Sequence, residues 1–185
     1  FSDQEDPATW TPTATNTAGS QRLTDGNQIN AAVRSRGVIL IYTDTALYQM
    51  QFIGPPFTFG FRQLGTNCGA VGINSAVDIN GIAYWMGNDS FFLFDGAVKK
   101  IPCSVQDYVF DDINNNALGD VFCAVNSDFN EVIWFYPSKN SNQIDRNVTY
   151  NYAEKIWYIG TLARSSWADR GVYSNPYAAE FEASD

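Results

Sequence analysis

Asp78-Ile-Asn-Gly81-Ile82-Ala-Tyr-Trp-Met86-Gly87-Asn-Asp-Ser90-Phe91-Phe-Leu-Phe94 is the passage that decides the fold. Two aromatic and aliphatic runs are separated by short polar turns. Asn80-Gly81 supplies the backbone freedom of a two-residue hairpin, and Gly87 to Ser90 supplies a second reversal. Aromatic and branched residues fit a pleated surface, so the passage reads as consecutive antiparallel strands.

The same pattern recurs on either side. Ala32-Val33, Ala76-Val77 and Ala124-Val125 each open a unit, 44 residues apart (76 − 32) and then 48 (124 − 76). Each pair leads to a turn and then to a strand-like run: Val38 to Tyr42, Ile82 to Met86, and Val132 to Tyr136. A second turn leads to Leu47–Met50, to Phe91–Phe94 and, after a longer polar loop from Ser138 to Asn147, to Val148–Tyr152. A period of about 40–50 residues built of strands and turns is that of propeller blades. The sequence therefore predicts an all-β, β-propeller-like chain of repeated antiparallel meanders, with about three complete units and two partial ones. The small Ala-Val pairs suit crowded inner strands, and the aromatics suit the widening space between units. A β-sandwich is the alternative, since it also uses alternating strands and frequent turns.

The predicted boundaries within a single module spanning 1–185 are 1–27 for the end of one blade and its connector, 28–72, 73–117 and 118–165 for whole blades, and 166–185 for the start of another. Trp10, after the acidic turn Asp3 to Asp6, parallels Trp157. Val172-Tyr173 and Tyr177 to Phe181 read as the opening strand of the last unit. Val105 to Phe110 reads as a short helix capped by Ser104, or as a plain connector ending at Asp111-Asp112. The opening Phe1-Ser-Asp-Gln-Glu-Asp-Pro7 lacks an initiator methionine and an apolar leader segment, so the expectation is an excerpt of a longer protein.

Composition narrows the chemistry. The chain has 11 basic and 20 acidic residues, a formal charge of −9 and no histidine. Such a surface repels phosphate backbones, which argues against gripping nucleic acid. Without histidine, a serine or cysteine nucleophile lacks its usual base, and a zinc site lacks its usual partner to cysteine. Cys68, Cys103 and Cys123 form no Cys-x-x-Cys pair, and their odd number does not make a disulfide framework, which points to a reducing compartment. No apolar run approaches the roughly 20 residues of a membrane span. Asp3, Glu5 and Asp6 faintly resemble an Asp-box turn, with Pro7 where that turn wants glycine. Asp111-Asp112 with Asn114 offers oxygen ligands without the alternation or closing glutamate of a calcium loop. Both clusters read as solvated turns. The expectation is a non-enzymatic chain with no catalytic, cofactor or metal residues.

One segment reads differently. In Phe52-Ile-Gly-Pro-Pro-Phe57-Thr-Phe59-Gly-Phe61, the prolines Pro55 and Pro56 interrupt pairing, and Phe57, Phe59 and Phe61 share one face of the strand that follows. Phe52, Pro55, Pro56, Phe57, Phe59 and Phe61 are the candidate interface, either packed against a neighbouring blade or docked on another subunit.

Several strings are similar to bacteriophage virion proteins: Phe1 to Pro7 followed by Trp10-Thr-Pro12, Ile41-Tyr-Thr-Asp-Thr45 with Leu47-Tyr-Gln-Met-Gln51, Gly54-Pro-Pro-Phe57, and Tyr84-Trp-Met-Gly87. The chain resembles the tail-tube, nozzle and packaged-DNA stabilisation components of short-tailed phages from Phe1 to about Phe181. That resemblance implies a β-propeller-bearing structural protein of the tail or head-tail connector in the virion, assembled in the bacterial cytoplasm. Its implied partners are other tail and portal proteins, in a homo-oligomeric ring that DNA crosses without specific binding. A carbohydrate- or receptor-binding propeller is the alternative, and a glycosidase a further one.

Overall fold

In the computed structural model, which describes residues 1–54 and 56–180, the chain is nearly all-β and forms four antiparallel sheets. Sheet 1 is a meander of β1 (Ile29–Ser35), β2 (Val38–Thr43), β3 (Ala46–Gly54) and β4 (Thr58–Thr66). Sheet 2 repeats it with β5 (Ala76–Ile79), β6 (Ile82–Met86), β7 (Phe91–Phe94) and β8 (Val98–Ile101). Sheet 3 follows with β9 (Phe122–Asn126), β10 (Glu131–Tyr136), β11 (Arg146–Asn151) and β12 (Ile156–Gly160). Sheet 4 pairs β13 (Ser166–Ala168) with β14 (Tyr177–Ala179). In each four-stranded sheet the spatial order is the chain order, because a short turn lets each strand pair with its predecessor.

The first turns fold as their residues dictate. Ser35 pairs with Val38 and Ile79 with Ile82, leaving Arg36-Gly37 and Asn80-Gly81 as two-residue loops. Both residues of each loop have positive φ, 48° and 82° in one and 52° and 84° in the other. That geometry matches the right-handed twist of the flanking strands.

Each four-stranded sheet is apolar on both faces, and stacking buries them. Leu40, Tyr42 and Leu47 of sheet 1 meet Ala83, Trp85, Phe92 and Phe94 of sheet 2. The opposite face of sheet 2, with Tyr84, Met86 and Phe91, meets Val132, Trp134, Tyr136, Val148 and Tyr150 of sheet 3. Ile133 and Phe135 on the far face of sheet 3 meet Trp167 of β13. Four tryptophans tie each sheet to the one before it. Trp85 donates its indole N–H to the Cys68 carbonyl at 2.8 Å, and Trp134 to Ser75 at 3.0 Å. Trp157 donates to Pro102 and Trp167 to Val125, each at 2.8 Å. The buried indoles of Trp85 and Trp134 need an acceptor, and a carbonyl of the preceding unit provides it for them as for the half-buried Trp157 and Trp167.

The first strands β1, β5 and β9 lie side by side, and β13 packs on β9. A parallel bridge joins Asn74, just ahead of β5, to Phe122 of β9. Residues at the starts of all four sheets, Ala32, Ala76, Cys123 and Ser166 among them, line one open cleft.

Several expectations are corrected. Ala124-Val125 is not the equivalent of the two earlier Ala-Val pairs. Ala32 and Ala76 each stand three residues before the closing pair of the first hairpin, and in sheet 3 that place belongs to Cys123, three before Asn126. A one-residue offset turns a side chain to the other face of a strand, so Ala124 packs toward sheet 4 with Ile133 and Phe135. The helix α1 runs from Gln106 to Asp112, with Val105 in the capping position and no side-chain cap, so Ser104 does not cap it. β11 starts at Arg146, because Arg146 and Asn147 pair with Tyr136 and Phe135. Residues 1–28 hold no strand beyond the isolated Asp3–Asp6 bridge, and Trp10 is exposed, unlike the half-buried Trp157. Val172-Tyr173 is an exposed connection between β13 and β14, and Phe181 lies outside the described residues.

Trp134 is fully buried between sheets 2 and 3, whereas Lys99 on the β8 edge pairs with Asp95 at the surface. Trp134→Ala is expected to cost about 3–5 kcal/mol in a urea unfolding titration. Lys99→Ala is expected to change stability by less than about 1 kcal/mol.

Candidate functional site

The candidate interface sits on the longest hairpin of the molecule. β3 and β4 each run for nine residues, and their tip extends past the other strands of sheet 1. Met50 pairs with Phe61 and Phe52 with Phe59, so these four side chains share the face of sheet 1 that points away from sheet 2. Phe61 and Met50 pack there with Ile39, Ile41, Tyr48 and Leu23. Phe59 meets Phe1 edge-on with ring centroids 5.0 Å apart, and Phe52 at 5.9 Å.

Cover runs out toward the tip. Phe52 is 66% exposed, Ile53 56% and Phe57 73%, and Pro56 is exposed beside them. Pro55 lies outside the described residues. The structure thus divides the predicted stripe. Phe59 and Phe61 are half-buried within this chain, while Phe52, Pro56 and Phe57 face solvent. The sequence reading missed Ile53, whose exposure follows from its place at the projecting tip. Thr58 opens β4 with φ 59°, a left-handed conformation that a β-branched residue rarely adopts.

The acidic clusters resolve into local structure. Asp3 accepts hydrogen bonds from the Thr17 amide at 2.7 Å and the Thr17 hydroxyl at 2.6 Å, and one from the Gln4 amide at 2.9 Å. These hold its carboxyl below the usual value of 3.8, with the Thr17 hydroxyl contributing most. Asp6 is lowered in the same way, first by the Thr9 hydroxyl and then by the Ala8 amide. Glu5 is exposed. Asp112 lies 3.7 Å from Arg146, and Asn114 donates to the Ser141 carbonyl at 2.8 Å. Among the described residues, no three Cys, Asp or Glu side chains stand together in a way that could hold a metal ion. Cys68, Cys103 and Cys123 are free thiols, each pushed up by burial.

The open cleft along the first strands has Asp120 as its one charged lining residue among those described. Acidic side chains gather elsewhere, with Asp25, Asp44 and Asp89 lining polar clefts at the end of sheets 1 and 2 where β2 turns into β3. Large exposed aromatics outside the hairpin are dispersed: Trp10 on the N-terminal segment, Tyr108 on α1, Phe129 in the β9–β10 turn, Tyr158 on β12, and Tyr173 and Tyr177 edge-on to one another at the β13–β14 hairpin with ring centroids 5.0 Å apart. No helix among the described residues is long and apolar enough to cross a membrane. No family model matches the chain, and no curated protein matches it.

Because Asp3 and Asp6 are depressed in the folded state, the turn they close is fully supported above the ordinary carboxylate value. That support is lost as pH falls through their folded values. The Thr17 and Gly19 amide resonances are therefore expected to stay unchanged from pH 7 to 5 and to shift below about pH 4. Asp3→Asn is expected to reproduce the acid form at pH 7.

Proposed function

We propose that this chain is a β-propeller segment of a non-enzymatic virion structural protein, of the tail nozzle or packaged-DNA stabilisation type, working through protein–protein contacts. The observation that carries the propeller reading is the side-by-side arrangement of β1, β5 and β9 with β13 beside them, around one cleft. A sandwich would pair two sheets across one core. Here three successive cores separate four successive sheets, and the parallel Asn74–Phe122 bridge runs between neighbouring first strands. Radial repetition of this kind buries both faces of every inner sheet.

The structural-protein reading rests on the resemblance of the strings quoted above to short-tailed phage tail components, and on the β3–β4 hairpin. A projecting apolar tip made of Phe52, Ile53 and Phe57 is a contact surface rather than a reaction site. In this reading the tip docks onto a neighbouring tail or portal subunit. The charge of −9 favours a channel wall past which DNA slides without being held.

Mass spectrometry of purified, DNA-filled particles from cells carrying the gene tests the reading. Peptides of this chain are expected at stoichiometric levels, and their absence from the particles would overturn it. A Phe57→Asp variant is expected to keep its unfolding free energy, from a urea titration, within about 0.5 kcal/mol of the parent. The same variant is expected to enter particles at about one tenth of the parental level or less, since a charge at an interface centre costs several kcal/mol.

A further inference from the structure

The outer face of sheet 1 is covered in a way no other sheet face is. Sheets 2, 3 and 4 each press on the sheet before them, yet among the described residues the outer face of sheet 1 meets only the N-terminal segment. That segment contributes Leu23 to the cluster of Ile39, Ile41, Tyr48, Met50 and Phe61, and Phe1 against Phe59. None of residues 1–30 is buried.

The segment is also built in two parts. Residues 1–19 close on themselves: the Gly19 amide donates to the Phe1 carbonyl at 3.1 Å, the Gln4 amide to the Thr17 hydroxyl at 2.8 Å, and Thr17 to Asp3. Thr24 to Asn27 are clamped to the sheet, with the Asp25 amide donating to the Tyr48 hydroxyl at 2.7 Å and the Asn27 amide to Asp44 at 2.8 Å. Between them Ser20, Gln21 and Arg22 are exposed and, among the described residues, make no hydrogen bond to the sheet. Among the described residues, the lobe's one direct hydrogen bond to the sheet runs from the Thr58 hydroxyl to the Thr17 carbonyl at 3.5 Å, the outer limit for such a bond.

We infer that residues 1–19 are a displaceable cover, a self-closed lobe that lifts as a unit about Ser20–Arg22 and uncovers the Phe59 and Phe61 end of the outer face of sheet 1, while Leu23 stays with the sheet. Lifting joins Phe59 and Phe61 to the exposed Phe52 and Phe57 as one continuous apolar face. The lobe keeps its own hydrogen bonds on leaving, and the strands keep theirs, so the motion exposes little besides this face. The inference rests on packing within this chain and stands independently of what the whole protein assembles into.

Hydrogen exchange of the intact chain at pH 7, followed by residue in low urea, tests it. The Met50 and Phe61 amides belong to the β3–β4 pairing and report the sheet, and trypsin access at Arg22 reports the hinge. Trypsin is expected to cut the native chain after Arg22 at least about 10-fold faster than after Arg34 or Arg62, with Met50 protection retained. Phe1→Ala, which removes the lobe's aromatic anchor on Phe59, is expected to speed that cut a further threefold or more while changing exchange at Met50 and Phe61 by less than about twofold. Cleavage at Arg22 that requires the same urea concentration as exchange in β3 would overturn the inference. So would Phe1→Ala accelerating exchange in β3 and β4 as much as it accelerates cleavage. Either result would make the segment an integral part of sheet 1.

Discussion

The structure depends on sheets that cannot stand alone. Each four-stranded meander is greasy on both sides, and a sheet has only one way to shelter two faces, which is to lie between two neighbours. Trp85 points back into sheet 1 while Tyr84 and Met86, adjacent on the same strand, point forward into sheet 3. The period-2 alternation of β6 therefore contributes to two cores at once. Stability follows from this arrangement, since the large fully buried side chains such as Trp85, Trp134, Phe91 and Tyr136 all sit between sheets.

Directionality comes from the tryptophans. Dispersion and burial alone would allow neighbouring sheets to slide or rotate against one another. An indole N–H that is wholly buried between sheets, as in Trp85 and Trp134, must find a carbonyl, and a carbonyl stands at one place in one register. Trp85, Trp134, Trp157 and Trp167 all find theirs on the preceding unit, or on the connection leading out of it. The indoles thus convert non-specific stacking into a fixed relation between sheets. Arg36 adds to this at the first hairpin turn, donating to the Gly81 and Asp95 carbonyls of sheet 2.

The hairpin of β3 and β4 breaks the pattern. It outgrows the other strands, carries three exposed apolar side chains at its tip and holds Thr58 in a left-handed conformation. Nothing in the packing of sheets 1 and 2 requires that length. The N-terminal segment shelters the inner part of the same face through two apolar anchors, Leu23 and Phe1, where other faces have a whole sheet.

The amino-acid order alone determined that the chain is β-rich and where its hairpins turn, because turns such as Asn80-Gly81 and alternation such as Ile82 to Met86 are local properties of a few adjacent residues. The repeat spacing was legible for the same reason. Tertiary structure decided which face of each strand meets which neighbour. Ala124 shows why: its pairing with Val125 mimics the earlier Ala-Val pairs, yet the four-residue loop of residues 127–130 places Cys123 in the equivalent position and turns Ala124 to the other side. Composition cannot reveal a one-residue offset, since it leaves the hydrophobic content of the strand unchanged. The six residues named in the candidate interface were likewise visible as an apolar stripe. Their division into covered Phe59 and Phe61 and open Phe52 and Phe57 depends on a distant segment, residues 1–23, folding over one end of the sheet.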